Sequence, residues 1–512
     1  MAELGVFTQA EWQPSLSVSV TAGLRWDATA FLDAPATDST IDRLFATRTG
    51  RAPADWAQWQ PRAQVVWRPR GDEHDVIRVG GGWFHAQLPY YLQHNQLLYT
   101  GRSLTDVDLR GARTPSPDFP GYRNGTTTIP GVPAGTTPGP AYVNVAGAVR
   151  APRTTRASAT WVHRVDSRVT VTLGGQWSRA RAGYHYIDQN LRQTPFFRLA
   201  EEGDHAVWVP ATSITTSSGA TDVRNASRVP EYARVLALES VGAARQWSLT
   251  AEASVTPRPW VTGTAAYAYS RATDNSSFCC CLARTATTFT AIRDDPRDLA
   301  SAWGPADGDQ RHRVVGTVQS RLPFGLRLDA RYIGQSGRPF SLVDDGDING
   351  DEANGNDLAF LFDPNDPDTP TDVAASMRRL LDNPRNVSRR YIADHLGRVS
   401  TRNAIRTPFA HRVDARVSRT LRLRSSRRLQ RVMLMLDAYN VGHLLNRNWG
   451  GQALLPTGIS SQNPVINRVP LLRVTGFDAA RQRYRYVVNE NTGVLIRGGD
   501  PWQLQLGVRL ER

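Results

Sequence analysis

The sequence predicts an all-β fold: a transmembrane antiparallel β-barrel of about 13 strands, with short turns at one end and long loops at the other. Three observations predict it. Extended runs of about 11 to 15 residues alternate between apolar and polar side chains, connections alternate between very short and very long, and aromatic residues gather at the ends of the runs. Together they are typical of strands that cross a lipid bilayer.

The alternation has a period of two residues, as a strand requires. The run SLSVSVTAGLRWD places on one face Leu16, Val18, Val20, Ala22, Leu24 and Trp26, and the pattern returns from Ser167 and from Trp502. A soluble sandwich alternates too, but its strands are nearer 5 or 6 residues, whereas these runs have the length of a tilted strand in a bilayer.

The connections between the runs distinguish further between a soluble sandwich and a membrane barrel. Short ones carry turn residues, as at Pro14-Ser15, Asp166-Ser167 and Pro323 to Gly325. Between them lie long polar segments: Ala30 to Gln58, Ala86 to Ala151, Tyr184 to Ala244, Ala272 to Gly308, Pro339 to Thr407 and Gly442 to Gly499. A compact soluble domain rarely carries so many long loops, whereas outer-membrane barrels combine tight periplasmic turns with large extracellular loops.

Aromatic residues near the ends of these runs predict the two interfacial girdles of a membrane barrel. The set comprises Trp12, Trp26, Trp59, Trp67, Trp161, Trp177, Trp247, Trp260, Phe324 and Tyr332. Tryptophan is also common in glycan-binding β proteins, so a secreted soluble glycan binder stays open as an alternative.

Composition argues against other classes. The chain has 61 basic and 47 acidic residues and a formal charge of +14, but no lysine, and its arginines are scattered among acids rather than clustered. Nucleic-acid binding is therefore not expected.

No apolar stretch is long enough for a transmembrane helix, and the start of the sequence has no signal peptide. Three adjacent cysteines, Cys279 to Cys281, cannot link distant segments or form a zinc site.

The GxSxG, HExxH and Walker patterns do not occur, so no catalytic role is expected.

One loop has acidic and amide side chains at the spacing of a metal-binding loop. Oxygen ligands stand at alternate positions around Gly350, which suits calcium: Asp345, Asp347, Asn349 and Asp351. Asn356 replaces the glutamate expected at the twelfth position. Asx turns that order the loop are the alternative interpretation, and no other cofactor is expected.

Several motifs make the chain recognisable. LGVFTQAEWQPSLSVSVTAGLRWD from Leu4 resembles a mid-barrel hairpin of TonB-dependent outer-membrane transporters. DQRHRVVGTVQSRLPFG, QSGRPFS, DDGDINGDEANGND, RNAIRTP, LDAYNVGHLLNRNWGG and the closing PWQLQLGVRLER, in that order, resemble the Oar-like branch.

This resemblance implies a 22-stranded barrel of which residues 1–512 form the C-terminal part. It also implies an N-terminal plug and a periplasmic carboxypeptidase-regulatory-like domain, and we expect both, with the signal peptide, to be missing here. TonB would act only through that plug, so the chain alone is expected to be inactive in transport. Family members usually end on an aromatic residue, whereas this chain ends on Arg512.

We therefore expect a receptor and transporter barrel in the outer membrane of a Gram-negative bacterium, in contact with lipid and specific for a ligand that the sequence does not reveal. Alternation places four charged candidates in the lumen: Arg25, Asp414, Arg416 and Asp437. Mutual salt bridges between neighbouring strands are the alternative role for each. A non-transporting surface or adhesion protein is the second functional hypothesis.

Overall fold

The computed structural model describes residues 1–101, 141–276, 290–425, 428–450, 452–454, 467–498 and 501–511. Cys279, Cys280 and Cys281 lie outside these described residues. Within the described part of the chain, no helix is long and apolar enough to cross a membrane.

Long strands, numbered in chain order, form one antiparallel sheet in which each strand pairs with the next. They are β1 Ala2–Ser15, β2 Val18–Ala30, β3 Ala54–Trp67, β4 Asp75–His85, β5 Arg153–Arg164, β6 Val169–Asp188, β7 Tyr232–Arg258, β8 Val261–Asp274, β9 His312–Arg321, β10 Leu326–Gln335, β11 Ala410–Ser425, β12 Arg428–Tyr439 and β13 Gln503–Glu511. The prediction of about 13 crossings is confirmed.

The connections alternate as predicted. Short turns join the strands at one end of the sheet, and they span residues 16–17, 68–74, 165–168, 259–260 and 322–325; at the same end, β11 and β12 are paired as far as Ser425 and Arg428. Long connections join them at the other end, across residues 31–53, 86–152, 189–231, 275–311, 336–409 and 440–502. Because neighbouring strands are antiparallel, all six long connections emerge on the same side of the sheet.

Strands β6 and β7 are longer than the sequence indicated, so the predicted loop from Tyr184 to Ala244 was wrong at both ends. The pairing continues past a register shift at Gly242. A Cβ added at Gly242 would lie 3.0 Å from the backbone of Gly183, so this close approach requires glycine. Beyond it the strands leave the apolar zone, and Tyr186 and Leu238 are buried beneath loop residues.

The two faces of the sheet have opposite chemistry. The outward face carries Val20, Leu24 and Trp26 of β2, and the register aligns with them Trp12 of β1 and Trp59 of β3. Exposed apolar side chains occur at both edges and in the middle of the sheet, as with Leu4 of β1, Leu249 of β7 and Leu506 of β13, which is 83% exposed. Apolar side chains that cover no protein core fit a lipid-facing surface.

The hydrophobic core lies elsewhere, among the long connections and the ends of β6 and β7, which we call the loop layer. Its largest cluster includes Trp208, Phe340, Met377, Leu472 and Tyr484, contributed by three different connections. Segments that are far apart in sequence therefore pack into one body on the long-connection side of the sheet.

The loop layer has its own secondary structure. Its helices are Ser39–Phe45, Tyr90–Leu98, Val223–Ala226, Thr371–Asp382, Arg389–Asp394 and Gly442–Leu445. Its strands are Ala141–Ala146, Phe197–Leu199, His205–Val207, Gly304–Pro305, Pro339–Asp345, Phe360–Leu361, Arg398–Val399, Ile405–Arg406, Gln452–Leu454, Arg468–Asp478, Arg483–Val488 and Ile496–Gly498. Four of these strands form a small sheet in which Pro339–Asp345 runs parallel to Arg468–Asp478.

Candidate functional site

The four charged residues predicted for the lumen all lie on the inner face, opposite the apolar one. Each has a charged partner there. Arg25 contacts Asp27 on the same strand, with 2.8 Å between Nε and Oδ2. Residues two positions apart share a face of a strand, so this pairing follows from the sequence.

Arg416 and Asp437 form a two-pronged ion pair across β11 and β12, with 3.0 Å between Nη2 and Oδ2. Asp414 accepts from the Arg412 Nε at 2.9 Å and from the Asn440 backbone N–H at 2.8 Å. The geometry favours the mutual salt bridge as the role of these residues, although two of the three pairs lie within one strand.

These pairs border an open cavity of about 680 Å³ on the inner face of β9 to β13. Its charged lining alternates in sign: Arg327 lies beside Asp329 at 3.0 Å, and Arg331 and Arg509 also line the cavity. This part of the inner wall is therefore polar but close to balanced in charge.

A second stretch of inner wall, which contains none of the four predicted lumen residues, is basic. Arg62, Arg78 and Arg156, on β3, β4 and β5, border a cavity of about 650 Å³ whose other polar residues are neutral, such as Gln64 and Ser158. Among the described residues, no carboxylate lines this cavity. The alternation that identified Arg25 also places these arginines inward, so the signal was available.

The proposed calcium loop folds back on itself. The Asp347 carboxylate accepts from the backbone N–H groups of Gly350 at 2.7 Å, Asp351 at 3.1 Å and Glu352 at 2.9 Å. Asn349 Oδ1 accepts from the Asp351 N–H at 2.8 Å. These are Asx turns, and among the described residues no three acidic, histidine or cysteine side chains converge as a metal-binding group.

A titration can decide between the predicted calcium site and the Asx turns. Because loop amides already occupy the Asp347 oxygens, we expect isothermal titration of the refolded protein with calcium to give no binding heat. A heat that saturates near one ion per chain and disappears in Asp347→Asn would instead establish the calcium loop.

Buried carboxyl groups surround this loop. Glu202 is 3% exposed and accepts from the Tyr486 hydroxyl at 2.7 Å. Burial raises the pKa of Glu202 to about 7 and that of Asp347 to about 6. Asp344 is also buried, its pKa is raised well above the ordinary value by burial, and its oxygens have no hydrogen-bond partner among the described residues. The loop layer thus buries carboxyl groups whose pKa values lie above the ordinary range.

This arrangement predicts that mild acid stabilises the loop layer. A carboxyl group whose pKa is higher in the folded state stabilises that state below its unfolded pKa of about 4, and the contribution is lost as pH rises towards the folded value. For Glu202 the window is about pH 4 to 7, and the effect is on the order of 3 kcal/mol. We expect loop cleavage by a protease of broad pH range to be slower at pH 5 than at pH 8.

The adjacent glutamate supplies the control. Glu202→Gln should weaken the pH dependence of cleavage, whereas Glu201→Gln should leave it unchanged, because Glu201 is exposed and pairs with Arg483 at 2.7 Å. Equal pH profiles for Glu202→Gln and the wild type would contradict the assignment.

Two of the recognisable motifs, RNAIRTP and DQRHRVVGTVQSRLPFG, connect the loop layer to the long-connection end of the sheet. Arg402, which is 2% exposed, contacts Asp274 at the end of β8, with 2.6 Å between Nη2 and Oδ1. Arg406 Nη1 donates to the Asp309 carbonyl at 2.7 Å. The RNAIR segment therefore acts on structure, by connecting two long connections that are about a hundred residues apart in sequence.

A sheet with this alternation of turns and loops, a lipid-facing apolar side and a polar inner side defines a transmembrane β-barrel of the outer-membrane type. The chain belongs to the outer membrane beta barrel domain family, whose model matches residues 1–448. Its location is accordingly the outer membrane of a Gram-negative bacterium.

Solved structures with a similar arrangement include the FrpB iron transporter from Neisseria meningitidis (F3-3 variant), at 11% identity and a TM-score of 0.43. The match covers 99% of this chain and 44% of FrpB. The outer membrane transporter YddB from Escherichia coli matches at 8% identity and a TM-score of 0.43, over 86% of this chain and 50% of YddB.

The ferric-catecholate import receptor Fiu from E. coli K12 matches at 9% identity and a TM-score of 0.37, over 99% of this chain and 44% of Fiu. The chain thus spans half or less of the length of these three proteins. No curated protein matches the chain in a sequence search.

Proposed function

We propose that the chain is the barrel of a receptor and transporter that takes up an extracellular ligand with TonB coupling. The observation that carries the proposal is the loop layer: an ordered, hydrophobic-cored body on one end of a sheet whose inner face is polar. A ligand captured among these loops would meet the inner wall next. The Oar-like motifs in the sequence support the same assignment.

Within this proposal the inner wall has two parts. The paired charges Arg25, Asp414, Arg416 and Asp437 stabilise the wall, because each already has a counter-ion or hydrogen-bond partner. The basic stretch formed by Arg62, Arg78 and Arg156 is the part that receives anionic groups, either of the ligand or of a plug. Guanidinium groups without a carboxylate in the same cavity suit that role.

TonB coupling would need a plug, which the family resemblance places ahead of the barrel. The test is to read the reading frame upstream of Met1 and to assay the full-length product with the purified periplasmic domain of TonB. We expect a plug with a TonB-docking segment, and binding that is lost when that segment is deleted. A full-length product that lacks both would contradict the transport proposal.

A non-transporting surface protein is the second candidate, and the extent of the loop layer is the observation that favours it. A body built from several long connections presents a broad extracellular surface that could hold a partner without any passage through the barrel. Binding of whole cells to other surfaces that survives deletion of the TonB-docking segment would support this alternative.

A further inference from the structure

Five arginines stand at the long-connection end of β5 to β8, and the register places all of them on the outward face. We call them the rim arginines: Arg153, Arg179, Arg181, Arg245 and Arg271. Outward residues at this height face the outer leaflet of the membrane, so the arginines need an explanation that the polar lumen does not provide.

Their arrangement brings like charges together. Arg179 is directly opposite Arg245, and Arg153 is directly opposite Arg181. Residues directly opposite in antiparallel strands have Cβ atoms about 4.5–5.5 Å apart, where equal charges repel. None of the rim arginines forms an ion pair with another described residue. Two inner-face arginines differ, since Arg25 and Arg416 each have an aspartate partner.

The rim arginines lie next to the aromatic girdle at the long-connection end of the sheet, which includes Trp177 and Trp247. Trp177 is opposite Trp247 one row nearer the membrane centre, and Trp247 is also opposite Arg271. The Arg153 guanidinium lies 4.7 Å from the centre of the Trp83 ring, which is itself outward-facing. Because aromatic girdles mark the headgroup level, a charge just outside them lies where lipid phosphates lie.

We propose that the rim arginines form a binding site for the phosphate groups of the phosphorylated glycolipid of the outer leaflet. A guanidinium group binds phosphate through two parallel hydrogen bonds, so one phosphate between Arg179 and Arg245 would turn a repulsive pair into an attractive one. The outward position excludes a ligand that passes through the lumen. This site is independent of the proposed transport function.

The test compares thermal unfolding of the refolded chain in neutral detergent with and without bisphosphorylated lipid A, followed by the heat-dependent shift in gel mobility. The test variant is Arg179→Ser with Arg245→Ser. Its matched control is Arg422→Ser with Arg431→Ser, which removes a directly opposed arginine pair from the inner face. A second test variant, Arg153→Ser with Arg181→Ser, covers the case in which the first fails to fold.

Without lipid, the test variant should unfold at the same temperature as the wild type or a higher one, because a repulsive pair is gone. With lipid A, the wild type and the inner-face control should gain several degrees, and the test variant less than half of that. Lipid A without its phosphates should stabilise the wild type less.

Three results would overturn the proposal. The first is an equal gain in wild type and test variant, and the second is an equal gain with dephosphorylated lipid A. The third is an equal gain with inorganic phosphate at the same concentration, which would assign the arginines to a free anion rather than to a lipid.

Discussion

Leu249→Arg should prevent stable insertion of the barrel. Leu249 lies on the outward face of β7, is 57% exposed and has Gly175 and Tyr269 as its cross-strand neighbours. An arginine on the lipid face of a membrane barrel costs about 2–4 kcal/mol near the bilayer midplane. Refolding into lipid vesicles, scored by the fraction of heat-modifiable band on a gel, should therefore fall steeply.

The neighbouring residue provides the control for this substitution. Thr250 is exposed on the inner face of the same strand, so Thr250→Arg adds the same side chain at the same depth but towards the lumen. It should refold nearly as well as the wild type. If both variants refolded equally well, or if the wild-type chain stayed monodisperse in buffer without detergent, the outward face could not be the lipid-facing one.

The same face explains why the barrel could be predicted from sequence. Lipid on one side and a polar lumen on the other impose a period of two on every strand, and the run from Ser15 to Asp27 shows it without help from the rest of the chain. The period also places residues i and i+2 together, which is why Arg25 meets Asp27 and Arg412 meets Asp414.

The loop layer was harder to predict from the sequence, because much of its structure depends on contacts between distant segments. Long-range pairings, such as the parallel one between Ala141–Ala146 and the start of β7, join segments about ninety residues apart and leave no local periodicity. The helix Thr371–Asp382 did leave a signal, because Val373, Met377 and Leu380 follow helical spacing and are buried. The loop predicted from Pro339 to Thr407 nevertheless contains this helix.

The predicted calcium loop shows a different limit of prediction from sequence. Acidic and amide side chains at alternate positions can turn their oxygens towards a cation or towards backbone N–H groups of the same turn. The spacing of these side chains along the sequence is the same in both cases, so it does not distinguish a calcium site from Asx turns. In the structure Asp347 and Asn349 accept from N–H groups, and that choice depends on how the rest of the loop packs around them.

The buried anchor at Arg402 supplies the other large effect. Arg402→Ala should destabilise the loop layer by about 3–5 kcal/mol, the cost of removing one partner from a buried ion pair. The loss would strand Asp274, whose carboxylate contacts Nη2 at 2.6 Å, and the main-chain carbonyls of Asp274 and Ala302, which accept from Nη1 at 2.9 and 3.1 Å.

The measurement is limited proteolysis of the refolded barrel across a urea series, since cleavage follows the population of the opened loop layer when opening and closing are fast. Arg390→Ala is the control. The Arg390 side chain is 93% exposed, and its Nε lies 4.0 Å from the Asp394 carboxylate. Exposed ion pairs of this kind contribute little to stability. We expect the Arg402→Ala loops to be cut at much lower urea while the strands stay protected and heat-modifiable, because the lipid-facing strands do not depend on the loop core. Equal cleavage of the two variants would mean that Arg402 does not hold the loop layer to β8.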